Sequence, residues 1–474
     1  MRGWLLAGLL LWAGSAQGAV LKDQDCPYAE APSTHIAACS RFFRDDEGTG
    51  IAFDIAVLTP IQEKSVGTVV YIPGGPGEAP VSEDGLFDDL LMPFSDRKII
   101  VFNPRGTLGT LPRMECDFGA LIWKDDFGGP KSQDVLESCI ERFQRDGPDP
   151  AHFTSLEIAE DIDAMLGALG IVRAGVYGIS YGTEAALHLL AQAPRWLDFA
   201  ILDSVSVPGL SGIEDEITAR DRFLEALDIQ CFEQKRCPAI ARGTARTLSD
   251  WAARFDEEPL ALYIRDNEKW TFTGADILDY LAQLGAYPDG LAIAKTTLRM
   301  LETSRLRAMG WMSADLSANT EFAEQSLPLM LQAYADTFDP SDFQTIAKPT
   351  RYARNSENAV RELEFQRLWR GTRQRENAFL DDHAQMVPVP VLVLSGTLDP
   401  FTPVEWAEAL EVRFSGLERY VFPLLGHALS VGPVTVEGDE TMTMQLRCAR
   451  EAVYAFLDPT LIAGRDCRQY EAGE

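Results

Sequence analysis

Short, continuous apolar runs alternate along the chain with segments whose apolar positions recur every three to four residues. The runs occupy 67–72, 98–103, 174–179 and 199–203, then, much later, 389–394 and 419–422. Runs of this length bounded by turn residues fit strands buried on both faces, as a parallel sheet requires. Between them, residues 155–169 place Ile158, Ile162, Leu166 and Leu169 at helical spacing, and 181–192 reads as a second helix. Such helices would cover the sheet. From residue 205 to 386 the strand rhythm stops and the chain turns helical, charged and aromatic, with Trp251, Trp270, Tyr280, Trp311, Tyr334 and Trp369 spread through it. The expectation is an α/β fold, its mostly parallel sheet flanked by helices. Its core would be split into 19–204 and 387–474 by a large, mainly helical cap inserted between strands at 205–386.

The first residues change where this fold is expected to work. Arg2, the apolar run 4–13 and the small residues Ser15, Ala16 and Gly18 have the order of a secretory leader, with cleavage expected after Gly18. No cysteine follows directly, so lipid attachment is not expected, and no later run is long and apolar enough for a membrane helix. Eight cysteines suit an oxidising compartment, periplasmic or extracellular. They allow about 105 pairings, but short loops close most easily, which favours Cys26 with Cys39, Cys116 with Cys139, Cys231 with Cys237, and Cys448 with Cys467. The competing reading, a metal site, finds no C-x-x-C or H-E-x-x-H pattern, and the five histidines are scattered. Lysine and arginine total 42 against 72 aspartates and glutamates, a net charge of −30. That balance opposes a general grip on nucleic acid or anionic lipid.

Chemistry concentrates at Gly178-Ile179-Ser180-Tyr181-Gly182, which leaves one expected strand and opens the next helix. A G-x-S-x-G in that setting is a nucleophile elbow: the turn is too tight for side chains at its flanks and presents the serine. A serine hydroxyl needs a base, and the base needs an orienting acid, in the chain order Ser, Asp or Glu, His. Asp399, just past 389–394, and His427, just past 419–422, supply that order at carboxyl ends of expected strands, where ligands gather in open α/β sheets. Asp203, after 199–203, is the alternative acid. An oxyanion needs two backbone donors. The glycine-rich Pro73-Gly74-Gly75-Pro76-Gly77 loop and the residue after the nucleophile assign them to Gly75 and Tyr181.

These segments together resemble the α/β-hydrolase exopeptidases of the proline iminopeptidase and tripeptidyl aminopeptidase family, peptidase family S33, especially the exported bacterial type. Residues 73–77 are similar to the family's H-G-G-P-G, 178–183 to G-x-S-Y-G-T, 103–107 to D-x-R-G-x-G, and 396–403 to G-x-x-D-P-x-T-P. Pro73 stands where the family has His, Asn103 where it has Asp, and a cysteine pair of relatives is missing near Tyr334 and before the penultimate strand. The resemblance implies a cofactor-free serine peptidase that takes peptide substrates with a free N-terminus. Such an enzyme needs a carboxylate for the substrate ammonium; Glu214, Asp215 and Glu216 are the candidates, with Glu184 a weaker one. An ester hydrolase and a non-catalytic binding protein on the same fold are the competing readings.

Overall fold

The apolar runs do pair into one sheet, and more of the chain joins it than their pattern announces. The computed structural model describes residues 19–26, 34–46, 48–61, 65–82, 92–116, 130–210, 213–237, 240, 243–264, 268–333, 368–369, 389–411, 414, 417–458, 460 and 467–472. The leader at 1–18, Tyr334 and most of 334–386 lie outside them. Strands β1 (Val20–Gln24), β2 (His35–Asp46), β3 (Thr49–Pro60), β4 (Thr68–Ile72), β5 (Lys98–Phe102), β6 (Ala174–Ile179), β7 (Leu197–Asp203), β10 (Val391–Gly396) and β11 (Leu417–Phe422) form a nine-stranded sheet. Its order is β1-β2-β3-β5-β4-β6-β7-β10-β11. From β5 to β11 every pairing is parallel, whereas β1, β2 and β3 add an antiparallel flank.

That flank carries no plain apolar run because charge sits inside it. Asp54, in the middle of β3, pairs with Arg41 of β2 at 2.8 Å and accepts a hydrogen bond from Gln24 of β1 at 2.9 Å. One half-buried ionic contact thus laces all three strands while breaking the pattern each would otherwise show.

Successive residues of the parallel strands serve opposite faces, as their two-residue period demands. Val70, Ile72, Ile100, Val176, Leu202 and Val393 pack with Ile158, Ile162, Met165 and Leu166 of α2 (Ser155–Leu169) and with Leu187 and Leu190 of α3 (Gly182–Gln192). Helix α1 (Pro130–Asp146) precedes this pair. Val69, Tyr71, Ile99, Tyr177, Ile201 and Leu392 face Met442, Leu446 and Ala449 of α11 (Glu440–Leu457). Both faces are covered, and the carboxyl edge of the sheet is left for chemistry.

The described part of the insertion comprises α4 (Ile213–Asp228), α5 (Leu248–Ala252), α6 (Arg254–Glu257), α7 (Gly274–Gln283), α8 (Gly290–Thr303) and the long α9 (Arg305–Ala333). It is not helical throughout: β8 (Leu260–Ile264) and β9 (Glu268–Phe272) form an antiparallel hairpin. Trp251, Trp270 and Tyr280 are buried in its core, and Trp369 is buried elsewhere, against Phe143. After the insertion, α10 (Val404–Glu408) follows β10. Disulfides join Cys26 to Cys39, Cys116 to Cys139, Cys231 to Cys237 and Cys448 to Cys467. Among the described residues no helix is long and apolar enough to cross a membrane, and no three His, Cys, Asp or Glu side chains gather as a metal site.

Candidate active site

Between the end of β6 at Ile179 and the start of α3 at Gly182, Ser180 and Tyr181 make the whole turn. Ser180 pays for it with a φ of 55°, a left-handed conformation that costs a non-glycine residue of order 1 kcal/mol. The flanking glycines are required by close approach: a Cβ on Gly178 would lie 2.7 Å from the Gly182 carbonyl oxygen, and one on Gly182 would lie 2.2 Å from that of Ile72. The turn is pinned on both sides of Ser180. Ser180 N–H donates to the Asp203 carbonyl at 2.9 Å, and Thr183 donates to the Ser180 carbonyl from N–H at 2.9 Å and from Oγ1 at 2.6 Å.

Asp399 leaves β10 and His427 leaves β11, two strands that lie side by side in the sheet and beyond β7 from β6, which leads to Ser180. His427 Nδ1 lies 2.7 Å from Asp399 Oδ2. A carboxylate there can only accept, so Nδ1 carries a proton, and in the neutral imidazole Nε2 keeps its lone pair. Asp399 is buried and fully engaged: Oδ1 accepts the N–H groups of Phe401 and Thr402, each at 2.9 Å, and Oδ2 accepts Thr402 Oγ1 at 2.5 Å. Thr402 therefore orients the acid, and its part was not foreseen although it lies in the matched 396–403 segment. Phe401 stands edge-on to the imidazole, with ring centroids 5.9 Å apart.

Asp203, the alternative acid, turns out to hold the site together. Its carboxylate accepts Leu429 N–H at 3.0 Å, Ser430 N–H at 2.7 Å and the Ser430 hydroxyl. Its neighbour Ser204 accepts Ala428 N–H at 2.8 Å. The loop after His427 and the backbone of Ser180 are thus tied to the same residue. Beneath them the Tyr177 hydroxyl meets Ser430 Oγ at 2.5 Å. Burial pushes the Asp203 carboxyl pKa up, against the lowering effect of the Ser430 and Leu429 hydrogen bonds. For His427, burial pulls the pKa down, but the Asp399 charge and hydrogen bond outweigh it, helped by Asp203 and Glu78. The net direction is up.

The glycine loop after β4 lies against the elbow, since a Cβ on Gly74 would stand 3.1 Å from Ser180 Cβ. Gly74 N–H is taken by Glu78 Oε2 at 3.0 Å. Gly75, at φ 103°, hydrogen-bonds to no other described residue through its N–H, which leaves that group for a ligand. Tyr181 N–H stands at the opening of α3. Asn103 suits the place where an Asp was expected: Oδ1 accepts Val81 N–H at 2.8 Å while Nδ2 donates to Ser82 Oγ at 2.7 Å and to the Leu108 carbonyl at 3.0 Å. An aspartate could not make the two donations. Arg105, beside it, is held by Asp161 through Nε and Nη2, both at 2.7 Å.

The insertion meets the site from two directions. Helix α9 roofs the glycine loop, Phe322 Cζ lying 3.3 Å from where a Gly75 Cβ would be and Ser326 Cβ 2.3 Å from that of Gly77. The turn after α7 clasps the histidine loop: the Gly285 carbonyl accepts His427 N–H at 2.9 Å and the Pro288 carbonyl accepts Gly426 N–H at 3.1 Å. Of the acids expected to meet an ammonium, Glu214 lies on α4 with its side chain outside the described atoms. Asp215 accepts Trp406 Nε1–H at 2.9 Å. Glu216 pairs with Arg220 at 3.6 Å, and the Arg220 guanidinium carbon is 5.7 Å from the Phe401 ring centroid. Glu184 is buried and accepts the Ser206 hydroxyl at 2.7 Å.

A family model described as the α/β-hydrolase fold matches residues 67–431. The serine protease Hip1 of Mycobacterium tuberculosis is 25% identical over 207 residues, a match covering 39% of this chain and 39% of that protein; Hip1 of Mycobacterium bovis gives the same figures. The chain therefore spans well under half the length of the curated relatives it matches. Homoserine O-acetyltransferase from Bacillus anthracis aligns with a TM-score of 0.41 at 13% identity, covering 90% of this chain and 100% of that one. The family match runs from β4 through the insertion to the loop behind His427, and over that span the chain belongs to the α/β-hydrolase fold family.

Proposed function

We propose that this protein is an exported serine peptidase that releases short pieces from free peptide N-termini. What carries the reading is the His427–Asp399 hydrogen bond at 2.7 Å, in a loop anchored to the residue whose carbonyl holds Ser180 N–H. Ser180 Oγ attacks the scissile carbonyl as His427 Nε2 takes its proton, and Asp399 steadies the imidazolium. The N–H groups of Gly75 and Tyr181 receive the oxyanion. His427 then protonates the leaving amine, and water hydrolyses the acyl-enzyme by the reverse sequence. The segment 205–386 acts as the cap, with α9 over the glycine loop limiting access by long or folded chains. The four disulfides suit an extracytoplasmic setting, consistent with residues 1–18 acting as a leader.

Peptide is favoured over ester by the similarity to a serine protease and by the motif resemblance. Glu214, Asp215 and Glu216 at the start of α4 are the acids proposed to meet the substrate's ammonium, Asp215 and Glu216 in exchange for their present partners Trp406 and Arg220. The deciding experiment is turnover of an aminoacyl amide, a tripeptidyl amide, its N-acetylated form and a short acyl ester, by wild type and Ser180→Ala. Cleavage of free-amine amides only, lost in the variant, is expected. Ester turnover without amide cleavage, or equal cleavage after acetylation, would move the protein to the esterases or endopeptidases.

A further inference from the structure

We propose that Asp315, held between the hydroxyls of Tyr280 and Tyr287, is the carboxylate that receives the substrate's N-terminal ammonium, and that its distance along α9 from the glycine loop sets the released piece at three residues. The inference rests on the peptidase reading above and puts one residue in place of the three acids of α4. Asp315 Oδ2 accepts the Tyr280 hydroxyl of α7 at 3.0 Å, and Oδ1 accepts the Tyr287 hydroxyl at 3.1 Å. Burial first, and then the Asp315 charge, push both phenol pKa values up, that of Tyr287 to about 12, so both stay neutral donors. They orient the carboxylate without neutralising it, and among the described residues no lysine, arginine or histidine pairs with it. Each oxygen keeps a lone pair for a cation.

The stripe of α9 that carries Asp315 runs to the oxyanion loop. Trp311, Asp315, Ala318 and Phe322 recur every three to four residues, which puts them on one face of the helix. At one end, Phe322 Cζ lies 3.3 Å from where a Gly75 Cβ would be. At the other, Asp315 holds Tyr287, whose carbonyl oxygen would lie 2.5 Å from a Cβ on Gly426, next to His427. One helix face thus spans from the glycine loop to the histidine loop. Between its ends Ala318 is small and exposed, which leaves room for an extended chain against the helix. Trp311 is half-buried one turn before Asp315, and Tyr287 is 39% exposed, so both rings can add cation–π attraction beside the carboxylate.

Helix and substrate then share a length. From Phe322 back to Asp315 is two turns of α9, a rise of about 10 Å. In an α-aminoacyl group the ammonium nitrogen lies about 2.5 Å from the scissile carbonyl carbon, and two further residues carry it to about 9 Å. A single residue would keep its ammonium beside Ser180, whereas a tripeptide brings it to Asp315. Asp215 and Glu216 of α4 meet a cation only by exchanging Trp406 and Arg220, while Asp315 keeps both tyrosines. An enzyme for neutral acyl groups gains nothing from a charge placed there.

The test compares trialanyl p-nitroanilide with propionyl-dialanyl p-nitroanilide, which share the scissile bond and differ only in the ammonium, and alanyl with propionyl p-nitroanilide, which differ in the same way. Wild type, Asp315→Asn and Asp315→Glu are measured on all four. For Asp315→Asn the kcat/KM ratio of trialanyl to propionyl-dialanyl substrate should fall on the order of tenfold to a hundredfold, carried mainly by KM. The alanyl to propionyl ratio should move less than about threefold, and Asp315→Glu, which keeps the charge, should recover part of the loss. A second variant leaves the carboxylate alone: Ala318→Phe fills the stripe between Asp315 and Phe322 and should lower trialanyl relative to alanyl turnover by about tenfold or more. Equal losses with and without the ammonium would mean that Asp315 acts only by holding Tyr287 and the histidine loop, and would overturn the assignment. A tripeptidyl ratio that does not fall, or a fall confined to the alanyl pair, would overturn it too. Wild type that ignores the ammonium on both pairs would sink the peptidase reading itself, an outcome visible before any variant is made.

Discussion

Replacing Asp203 by Asn separates a carboxylate that holds the loop from one that drives the reaction. Asp203 is 0% exposed and gives its carboxylate to three donors: Leu429 N–H, Ser430 N–H and the Ser430 hydroxyl. An Asn keeps one acceptor oxygen, enough for Leu429 N–H, but turns an NH2 group toward Ser430 N–H. A charge-assisted hydrogen bond worth about 1.5–3 kcal/mol is lost and a buried donor is stranded. Part of that cost is returned, because burial already disfavours the Asp203 charge, as its raised pKa shows. The net expectation is a loss of about 2 kcal/mol in unfolding free energy by urea titration. The loosened His427 loop should lower kcat by about tenfold to a hundredfold. Asp399→Asn should do the opposite, with kcat down by about 10⁴ because His427 takes the wrong tautomer. Its stability should change less than that of Asp203→Asn. The reasoning is refuted if Asp203→Asn abolishes turnover at full stability while Asp399→Asn is mild, for then the acid has been misassigned.

Three further outcomes are expected. Since His427 must be neutral to accept the serine proton and its pKa is raised, kcat/KM should fall on acidification with an apparent pKa above the ordinary imidazole value of about 6.5. Asp399→Asn should move that limb to lower pH, burial then being opposed only by the Asp203 and Glu78 charges; a limb unmoved by Asp399→Asn would argue against the pair. Gly182→Ala drives a methyl to within 2.2 Å of the Ile72 carbonyl oxygen and 2.6 Å of that of Pro73. Neither backbone atom can yield, so soluble expression or turnover should be lost, and an active, stable variant would contradict the elbow geometry. Replacing Cys448 and Cys467 together by Ser opens a link of sequence separation 19 and should cost about 3 kcal/mol by urea titration under oxidising conditions, with no loss expected if the bond does not form.

The candidate site was legible because the residues that bear chemistry stand at the ends of apolar runs. Ser180, Asp399 and His427 could each be placed by the strand before them, and the sheet order brings those strand ends to one edge. Asp203 stands at a strand end too, so position alone could not tell it from Asp399. Only the hydrogen bonds, to Leu429 and Ser430 more than two hundred residues away for Asp203 and to His427 for Asp399, tell the two apart. The antiparallel flank escaped notice because Arg41 and Asp54 interrupt its apolar alternation while bonding to each other. Within the insertion, the β8–β9 hairpin is short and lies among helices, so its pattern was absorbed into theirs.

The clasp after α7 bears on how the molecule opens. His427 borrows a carbonyl from Gly285 and the neighbouring Gly426 borrows one from Pro288, while a Cβ on Gly285 would fall 2.7 Å from Pro400 of the acid loop. The insertion is therefore a load shared with the candidate base His427 rather than a lid laid over it. A stroke that lifted this corner would disarm the histidine each time substrate entered. Breathing should instead be concentrated at the insertion's other contact, where α9 rests on the glycine loop. A cap transplanted from another hydrolase would have to bring an equivalent clasp with it, or the borrowed core would hold the His427 loop only from the side of Asp203 and Ser204.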